Sequence, residues 1–168
     1  REYQVYGKAK FFGNSFSIVY DNVKTIRFFG ELKADISEAI SFGANSTLSI
    51  YNTANQPEAW NLPTLQFNAN LDYTLNSKWY AGADVFFVGT RKDLQANNDR
   101  VYIVAPTYIP TTLKSYIDLN AHVGYKHSER LTGFLKANNI LNQAYQKWMN
   151  YPVQGFQVVL GANYKFDF

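Results

Sequence analysis

Apolar and polar residues alternate with a period of two along most of this 168-residue chain. Within residues 24–36, Ile26 and Phe28 fall on one face of an extended backbone, while Arg27 and Glu31 fall on the other. Successive side chains of a strand point to opposite faces of its sheet, so this period predicts β-strands. No segment has the 3.6-residue apolar stripe of an amphipathic helix. The sequence therefore predicts an all-β chain.

The alternation predicts eight strands that follow one another as an antiparallel meander. The connections between the strands alternate between long and short, and each short connection is a polar turn. Tight turns at one end and long loops at the other are typical of outer-membrane barrels, whereas Greek-key sandwiches scatter their loop lengths. The predicted fold is an antiparallel transmembrane β-barrel, with eight strands in this chain, either complete or part of a larger barrel. The predicted strands are residues 1–12, 24–36, 40–52, 65–75, 79–91, 113–125, 130–146 and 156–168.

Aromatic residues near the strand ends favour a membrane barrel over a soluble one. The chain contains 13 Tyr, 13 Phe and 3 Trp, and those near either end of the strands would form the two aromatic girdles of a membrane barrel. The mean hydropathy of −0.29 agrees with this, because an average over lipid-facing and interior-facing residues conceals both. A soluble barrel with its apolar face inward, carrying a small ligand, is the alternative.

Two motifs near the end of the chain point to a family. Residues 137–145, with the sequence ANNILNQAY, resemble the N-[IL]-[LF]-N-x-x-Y segment of TonB-dependent receptor barrels. The last residues are similar to the C-terminal assembly signal of such barrels. The resemblance implies a multi-pass barrel in the outer membrane of a Gram-negative cell, placed in the lipid by the barrel-assembly machinery and active in nutrient uptake. The residues of the assembly signal would be Gly161, Tyr164, Phe166 and Phe168.

The same resemblance bears on how much of a receptor this chain represents. Residues 1–168 are predicted to be the C-terminal portion of the barrel, with no plug domain, and contact with the TonB system would need segments upstream of it. The alternative is a self-contained eight-stranded barrel with a structural, adhesive or complex-subunit role. Large residues such as Phe29 and Phe134 on the polar face favour this narrower barrel, because they would fill its interior.

Ligand binding in a barrel of this kind is expected in the long loops, which a rigid wall presents. Aromatic and arginine side chains there suit stacking on sugars or ring-shaped ligands, and they also suit loop packing or membrane anchoring. The predicted ligand-binding residues are Glu58, Trp60, Arg91, Lys92, Arg100, Tyr102, Tyr108, Trp148 and Tyr151.

The sequence carries no pattern typical of an enzyme. His127 lies in a predicted turn, and His122 and Asp118 on one strand would be about 13 Å apart, too far for a catalytic dyad. Pairing of His122 across strands with Asp84 or Glu31 stays open. The chain has no Cys, and its 16 basic and 13 acidic residues are scattered without runs. We therefore predict no catalytic role, no cofactor, no metal and no nucleic-acid partner.

Overall fold

The computed structural model describes the backbone of residues 2–5, 8–11, 19–97 and 107–166. These residues form β-strands and irregular segments, and none of them belongs to a helix that could cross a membrane. The strands are β1 (Glu2–Val5), β2 (Lys8–Phe11), β3 (Val23–Ser37), β4 (Ile40–Thr53), β5 (Leu65–Thr74), β6 (Trp79–Val88), β7 (Arg91–Asn97), β8 (Thr107–Leu113), β9 (Tyr116–Lys126), β10 (Leu131–Asn138), β11 (Gln146–Trp148), β12 (Tyr151–Pro152) and β13 (Gln157–Tyr164).

One large antiparallel sheet dominates the structure. Its seven strands lie in the order β13-β10-β9-β6-β5-β4-β3. Neighbouring strands of the sheet are therefore consecutive along the chain, except where β7 and β8 or β11 and β12 come between them. The remaining strands pair as three hairpins, β1-β2, β7-β8 and β11-β12. The prediction of an all-β antiparallel meander is confirmed.

The predicted count of eight strands is wrong. Seven of the eight predicted strands form the large sheet, but the first, residues 1–12, contains the two strands of a separate hairpin in which Glu2 pairs with Phe11 and Val5 with Lys8. The hairpins β7-β8 and β11-β12 lie within connections that were predicted as loops. Alternation reports an extended backbone but does not say which segment pairs with it, and this is why the hairpins were missed.

Within the described part of the chain, the large sheet does not close into a barrel. β3 pairs only with β4, and β13 pairs only with β10, so these strands form the two edges. Every residue of β3 is exposed. The sheet is therefore an open wall.

The register aligns the apolar faces of all seven strands, so one face of the sheet is mainly apolar, although Phe29 and Phe134 lie on the other. Directly paired residues of antiparallel strands lie on the same side of a sheet, so each cross-strand row samples a single face. A row through the middle of the apolar face consists of Ala34, Phe42, Leu71, Ala83, Ala121, Ala137 and Val158. The adjacent row on the other face is polar and contains Lys33, Gly43, Asn70, Asp84 and Asn120.

The apolar face is largely uncovered. Phe28 is 59% exposed and Leu160 is 80% exposed, and among the described apolar residues only Leu113 is buried. A contiguous apolar surface on this scale is typical of a face that contacts another protein or a membrane. The stability of the wall thus depends on its surroundings and on the hydrogen bonds between its strands.

Polar side chains close the three short turns. Ser37 Oγ accepts hydrogen bonds from the backbone amides of Ala39 (3.2 Å) and Ile40 (3.1 Å). Asn76 Oδ1 and Ser128 Oγ each accept from the amides two and three residues later in their own turns. These local bonds replace strand pairing where the chain reverses, which explains why two to four residues are enough between strands.

Candidate ligand-binding site

The long connections meet at the end of the sheet opposite the short turns. The Asn61 amide donates to Lys92 O (2.6 Å), and its side-chain Nδ2 donates to Lys147 O (3.0 Å). The amide of Met149 donates to the Asp93 carboxylate (2.7 Å). The β4–β5, β6–β9 and β10–β13 connections are therefore tied to one another.

Arg91 is the anchor of this loop end. Its side chain is 5% exposed although it carries a charge. Nε donates to Asn61 Oδ1 (2.8 Å), and Nη2 donates to Gln146 O (2.6 Å). The guanidinium also lies over the Tyr116 ring, 5.4 Å from its centroid. These partners compensate in part for the lost hydration of the charge, although Nη1 is buried without a hydrogen-bond partner. Through Nε and Nη2, Arg91 ties the β4–β5 connection to the β10–β13 connection.

The Tyr116 ring, which lies under the Arg91 guanidinium, stacks on a second tyrosine. The rings of Tyr116 and Tyr145 stack in parallel, with centroids 3.8 Å apart. The Tyr145 hydroxyl donates to Asp118 Oδ2 (2.7 Å). Burial, followed by the bond to this carboxylate, raises the pKa of Tyr145, so the phenol stays a donor at neutral pH. We call Asn61, Arg91, Tyr116, Asp118 and Tyr145 the loop-end cluster.

The motif 137–145 has a structural role that its sequence did not reveal. Asn139 has a positive φ of 48° and is buried, and its side chain bonds to three backbone groups. Nδ2 donates to Gln143 O (2.9 Å) and Gln154 O (3.0 Å), while Oδ1 accepts from the Gln143 amide (3.0 Å). Asn tolerates left-handed backbone better than most residues. The strand predicted over residues 130–146 therefore ends at Asn138, the last residue of β10.

Asn142, the last asparagine of the motif, holds the start of the last strand. It also has a positive φ, of 50°, and its Oδ1 accepts from the Phe156 amide (2.9 Å). A Cβ at Gly155 would lie 2.6 Å from this oxygen, so the contact requires glycine. The bond uses only the backbone of Phe156, and any residue except proline could make it.

Asp21 braces the β4–β5 connection from the neighbouring strand end. Its carboxylate accepts from the backbone amides of Asn55 (3.0 Å) and Gln56 (2.8 Å), and from the Asn55 side chain (2.9 Å). These bonds favour the ionised form. The Gln56 amide, followed by that of Asn55, lowers the pKa of Asp21 to about 2.

Two cavities open between the connections. The first, of about 490 Å³, adjoins the stacked tyrosines and is lined in part by Tyr116, Tyr145 and Lys114. The second, of about 540 Å³, is called here the tryptophan cavity. Both volumes are in the range of small-molecule sites. The tryptophan cavity is lined by Asp21, Glu58, Trp60, Asp93, Trp148 and Tyr151, among others.

The structure brings four of the predicted ligand-binding residues together in the tryptophan cavity: Glu58, Trp60, Trp148 and Tyr151. Arg91 instead points into the loop-end cluster. Lys92 Nζ donates to Thr112 Oγ1 (2.9 Å). The backbone of Tyr108 lies in β8, paired with Ala96. Arg100 and Tyr102 lie outside the described residues. Ligand contact by any of the nine stays a prediction.

The predicted assembly signal lies in and just after β13. A Cβ at Gly161 would meet the Phe134 ring at 2.4 Å, so glycine makes room for a ring on the polar face. Tyr164 and Phe166 meet edge to face, with centroids 4.8 Å apart. Phe168 lies outside the described residues, and the assembly role stays a prediction.

His122 does not pair with either acid considered from the sequence. Its partners in register are Gly82 and Lys136, whereas Asp84 pairs with Asn120 and Glu31 lies on β3. Among the described residues, no group of three or more histidines and acids is placed to hold a metal ion.

The sequence did not reveal the loop-end cluster or the brace at Asp21. Their members come from segments far apart in the chain, with Asn61 and Arg91 separated by 30 residues and Asp21 and Gln56 by 35. A signal was available in the motif itself, since two asparagines three residues apart are typical of turns with positive φ. The spacing of Tyr116 and Tyr145 in the sequence did not indicate that their rings stack.

An open antiparallel sheet with one apolar face, short turns at one end and tied loops at the other is the architecture of a β-barrel wall. Solved receptors share it. The ferripyoverdine receptor of the outer membrane of Pseudomonas aeruginosa matches with a TM-score of 0.71 and 14% identity, over 87% of this chain and 20% of the receptor. The siderophore receptor PirA from Acinetobacter baumannii matches with a TM-score of 0.68 and 20% identity, over 83% of this chain and 22% of the receptor.

The ferric-catecholate import receptor Fiu from E. coli K12 also matches, with a TM-score of 0.68 and 17% identity, over 88% of this chain and 22% of the receptor. The resemblance to TonB-dependent receptors is thereby confirmed at the level of the fold. The chain spans about a fifth of the length of these proteins, which are receptors rather than enzymes. No protein-family model matches the chain, and no curated protein matches its sequence.

The brace at Asp21 should weaken in acid. A carboxylate whose folded pKa of about 2 lies below the usual 3.8 stabilises the folded form fully above pH 3.8, and this stabilisation is lost as the pH falls through 2. We expect the hydrogen-exchange protection factors of the Asn55 and Gln56 amides to fall between about pH 4 and pH 2. In Asp21→Asn, protection should be lower and independent of pH. A pH-dependent loss that persisted in this variant would contradict the assignment.

Proposed function

We propose that residues 1–168 form the C-terminal part of the barrel wall of a TonB-dependent outer-membrane receptor that takes up a scarce nutrient. The observation that carries this proposal is the uncovered apolar face that continues through all seven strands of the large sheet. An outer membrane would cover that face with lipid. The polar face would then line the interior of a larger barrel.

The aromatic residues at the short-turn end support this orientation. Trp79 and Tyr125 are paired on the apolar face, and their ring centroids are 4.6 Å apart. Rings of this kind sit at the boundary between hydrocarbon and headgroups. The short turns would face the periplasm and the loop end would face the medium. Insertion would need the barrel-assembly machinery, and other parts of the receptor would contact the TonB system.

The loop end is the part of the chain suited to ligand binding. Arg91, held by bonds to two connections, keeps the loops in a fixed arrangement around the tryptophan cavity. A preorganised site loses less entropy on binding than a mobile one. Recognition would therefore take place at this end, before the nutrient passes into the barrel.

Labelling of single cysteines in whole cells tests the orientation. These 168 residues contain no Cys, so in a full protein whose other cysteines are replaced by serine, Pro57→Cys in a long connection and Glu38→Cys in a short turn each give one reactive thiol. In cells that produce the full protein, a membrane-impermeant maleimide should label position 57 directly. Position 38 should react only after the outer membrane is permeabilised. Equal labelling of both positions in intact cells would refute the proposed topology.

Growth under nutrient limitation tests the uptake role. The full protein should support growth of a strain whose own outer-membrane receptors are deleted, on at least one limiting nutrient, and that support should vanish when TonB is also deleted. Growth that did not depend on TonB would favour a passive or structural barrel instead.

A further inference from the structure

We propose that the tryptophan cavity binds an organic cation, meaning a ligand with a positively charged nitrogen on an apolar body. This inference rests on the proposed function, because it names the ligand class of the same loop end. The cavity has a volume of about 540 Å³, which suits a small molecule rather than a bare ion.

The lining of the tryptophan cavity is acidic. Three carboxylates line it, those of Asp21, Glu58 and Asp93, and none of its described lining residues is Lys, Arg or His. Two cations of the neighbouring β6–β9 connection are directed elsewhere. Arg91 is held by Asn61 Oδ1 and Gln146 O, and Lys92 Nζ is bonded to Thr112 Oγ1. The cavity is therefore acidic, and a cation is the charge it favours.

The three carboxylates differ in what they can offer a ligand. Asp21 accepts from the backbone of the β4–β5 connection, and Asp93 accepts from the amides of Leu94 and Met149. Glu58 is half-buried and accepts no hydrogen bond from the described residues. It is consequently the carboxylate placed to contact a bound cation, while Asp21 and Asp93 contribute negative potential from fixed positions.

The aromatic side chains supply a second contact for the same ligand class. Trp60, Trp148 and Tyr151 line the cavity together with Met149. The Trp60 indole is oriented by its Nε1, which donates to Gln56 Oε1 (3.0 Å). The face of an indole ring attracts a cation and also packs on apolar groups. A quaternary or alkylated ammonium group satisfies rings and carboxylate at once, whereas an anion would meet three like charges.

A matched pair of ligands tests the proposal. Choline and 3,3-dimethylbutan-1-ol have the same shape, and only choline is charged. The full protein is folded in a neutral maltoside detergent, because detergents with choline headgroups would compete. We expect choline to quench tryptophan fluorescence with a dissociation constant roughly tenfold lower than that of the neutral alcohol.

Variants locate the binding. Glu58→Gln should weaken choline binding by about three- to tenfold and leave the alcohol unchanged. Trp60→Leu should also weaken choline binding, whereas Glu38→Gln, in a short turn, should have no effect. Faster migration of the unheated protein than of the heated protein in a detergent gel confirms that each variant is folded.

Two results would overturn the proposal in different ways. Equal affinity for choline and the alcohol, or tighter binding of an anionic analogue such as 3,3-dimethylbutanoate, would refute the cation class and leave a ligand-binding loop end in place. Failure of all three probes to bind would count against both the cation class and the proposed site.

Discussion

Ala121→Arg is expected to reduce the free energy of folding into lipid vesicles by roughly 2–4 kcal/mol. Ala121 lies at the centre of the apolar face, in register with Ala83 and Ala137 on the neighbouring strands. An arginine there would be held near the middle of the hydrocarbon layer, where hydration of its charge is lost. Denaturant titrations of the full protein in vesicles, as wild type and as variant, measure the difference.

His122→Arg is the matched control, because it changes the next residue of β9 on the opposite face. In the wild type, the imidazole of His122 lies over Gly82, and the Asp72 carboxylate approaches the same glycine from the other side. An arginine at position 122 would therefore have water and an acid within reach, and the cost should stay below about 1 kcal/mol. Equal penalties for the two variants would show that the faces have been assigned wrongly.

Asn139→Ala should destabilise the loop end by about 2–4 kcal/mol. The substitution removes the side-chain bonds to Gln143 O, Gln154 O and the Gln143 amide. It also leaves an alanine at a φ of 48°, which glycine or asparagine adopts at lower cost. Hydrogen exchange should accelerate in residues 139–156, with a smaller change in β5 and β6.

Two further variants separate the causes. Asn139→Gly removes the amide but relieves the backbone strain, so it should cost less than Asn139→Ala by about 1 kcal/mol. Asn138→Ala alters the preceding residue, which lies in β10, and should be nearly neutral. If Asn139→Ala and Asn138→Ala had equal effects, the hydrogen bonds of Asn139 would not be the source of stability.

The large sheet could be predicted from sequence because its information is local. Each strand alternates over many residues, and the short turns force consecutive strands to pair. The hairpins could not be predicted in the same way. Residues 91–97 are also extended, but β7 leaves the large sheet to pair with β8, and β9 takes the place beside β6. Whether β6 pairs with β7 or with β9 depends on the relative stability of the two pairings. The sequence of a single segment does not contain this information.

The candidate site was predictable only in part. The side chains of Trp60 and Trp148 were expected in ligand-binding loops, and they line one cavity. Arg91 was expected to contact ligand, yet it supports the loops from within. The residue type and its position in a loop do not distinguish an arginine that binds a ligand from one that binds backbone carbonyls. Both kinds of arginine use the same N–H donors of the guanidinium.

The contrast between short turns and long connections has a consequence for the order of folding. Contacts across the three turns join residues only a few positions apart, so their hairpins can form with little loss of chain entropy. The loop end joins Asn61 to Lys147, 86 residues away, and can assemble only after the strands between them are aligned. The hairpins β3-β4, β5-β6 and β9-β10 should therefore form early, and the ligand-binding end of the wall should be the last part to become ordered.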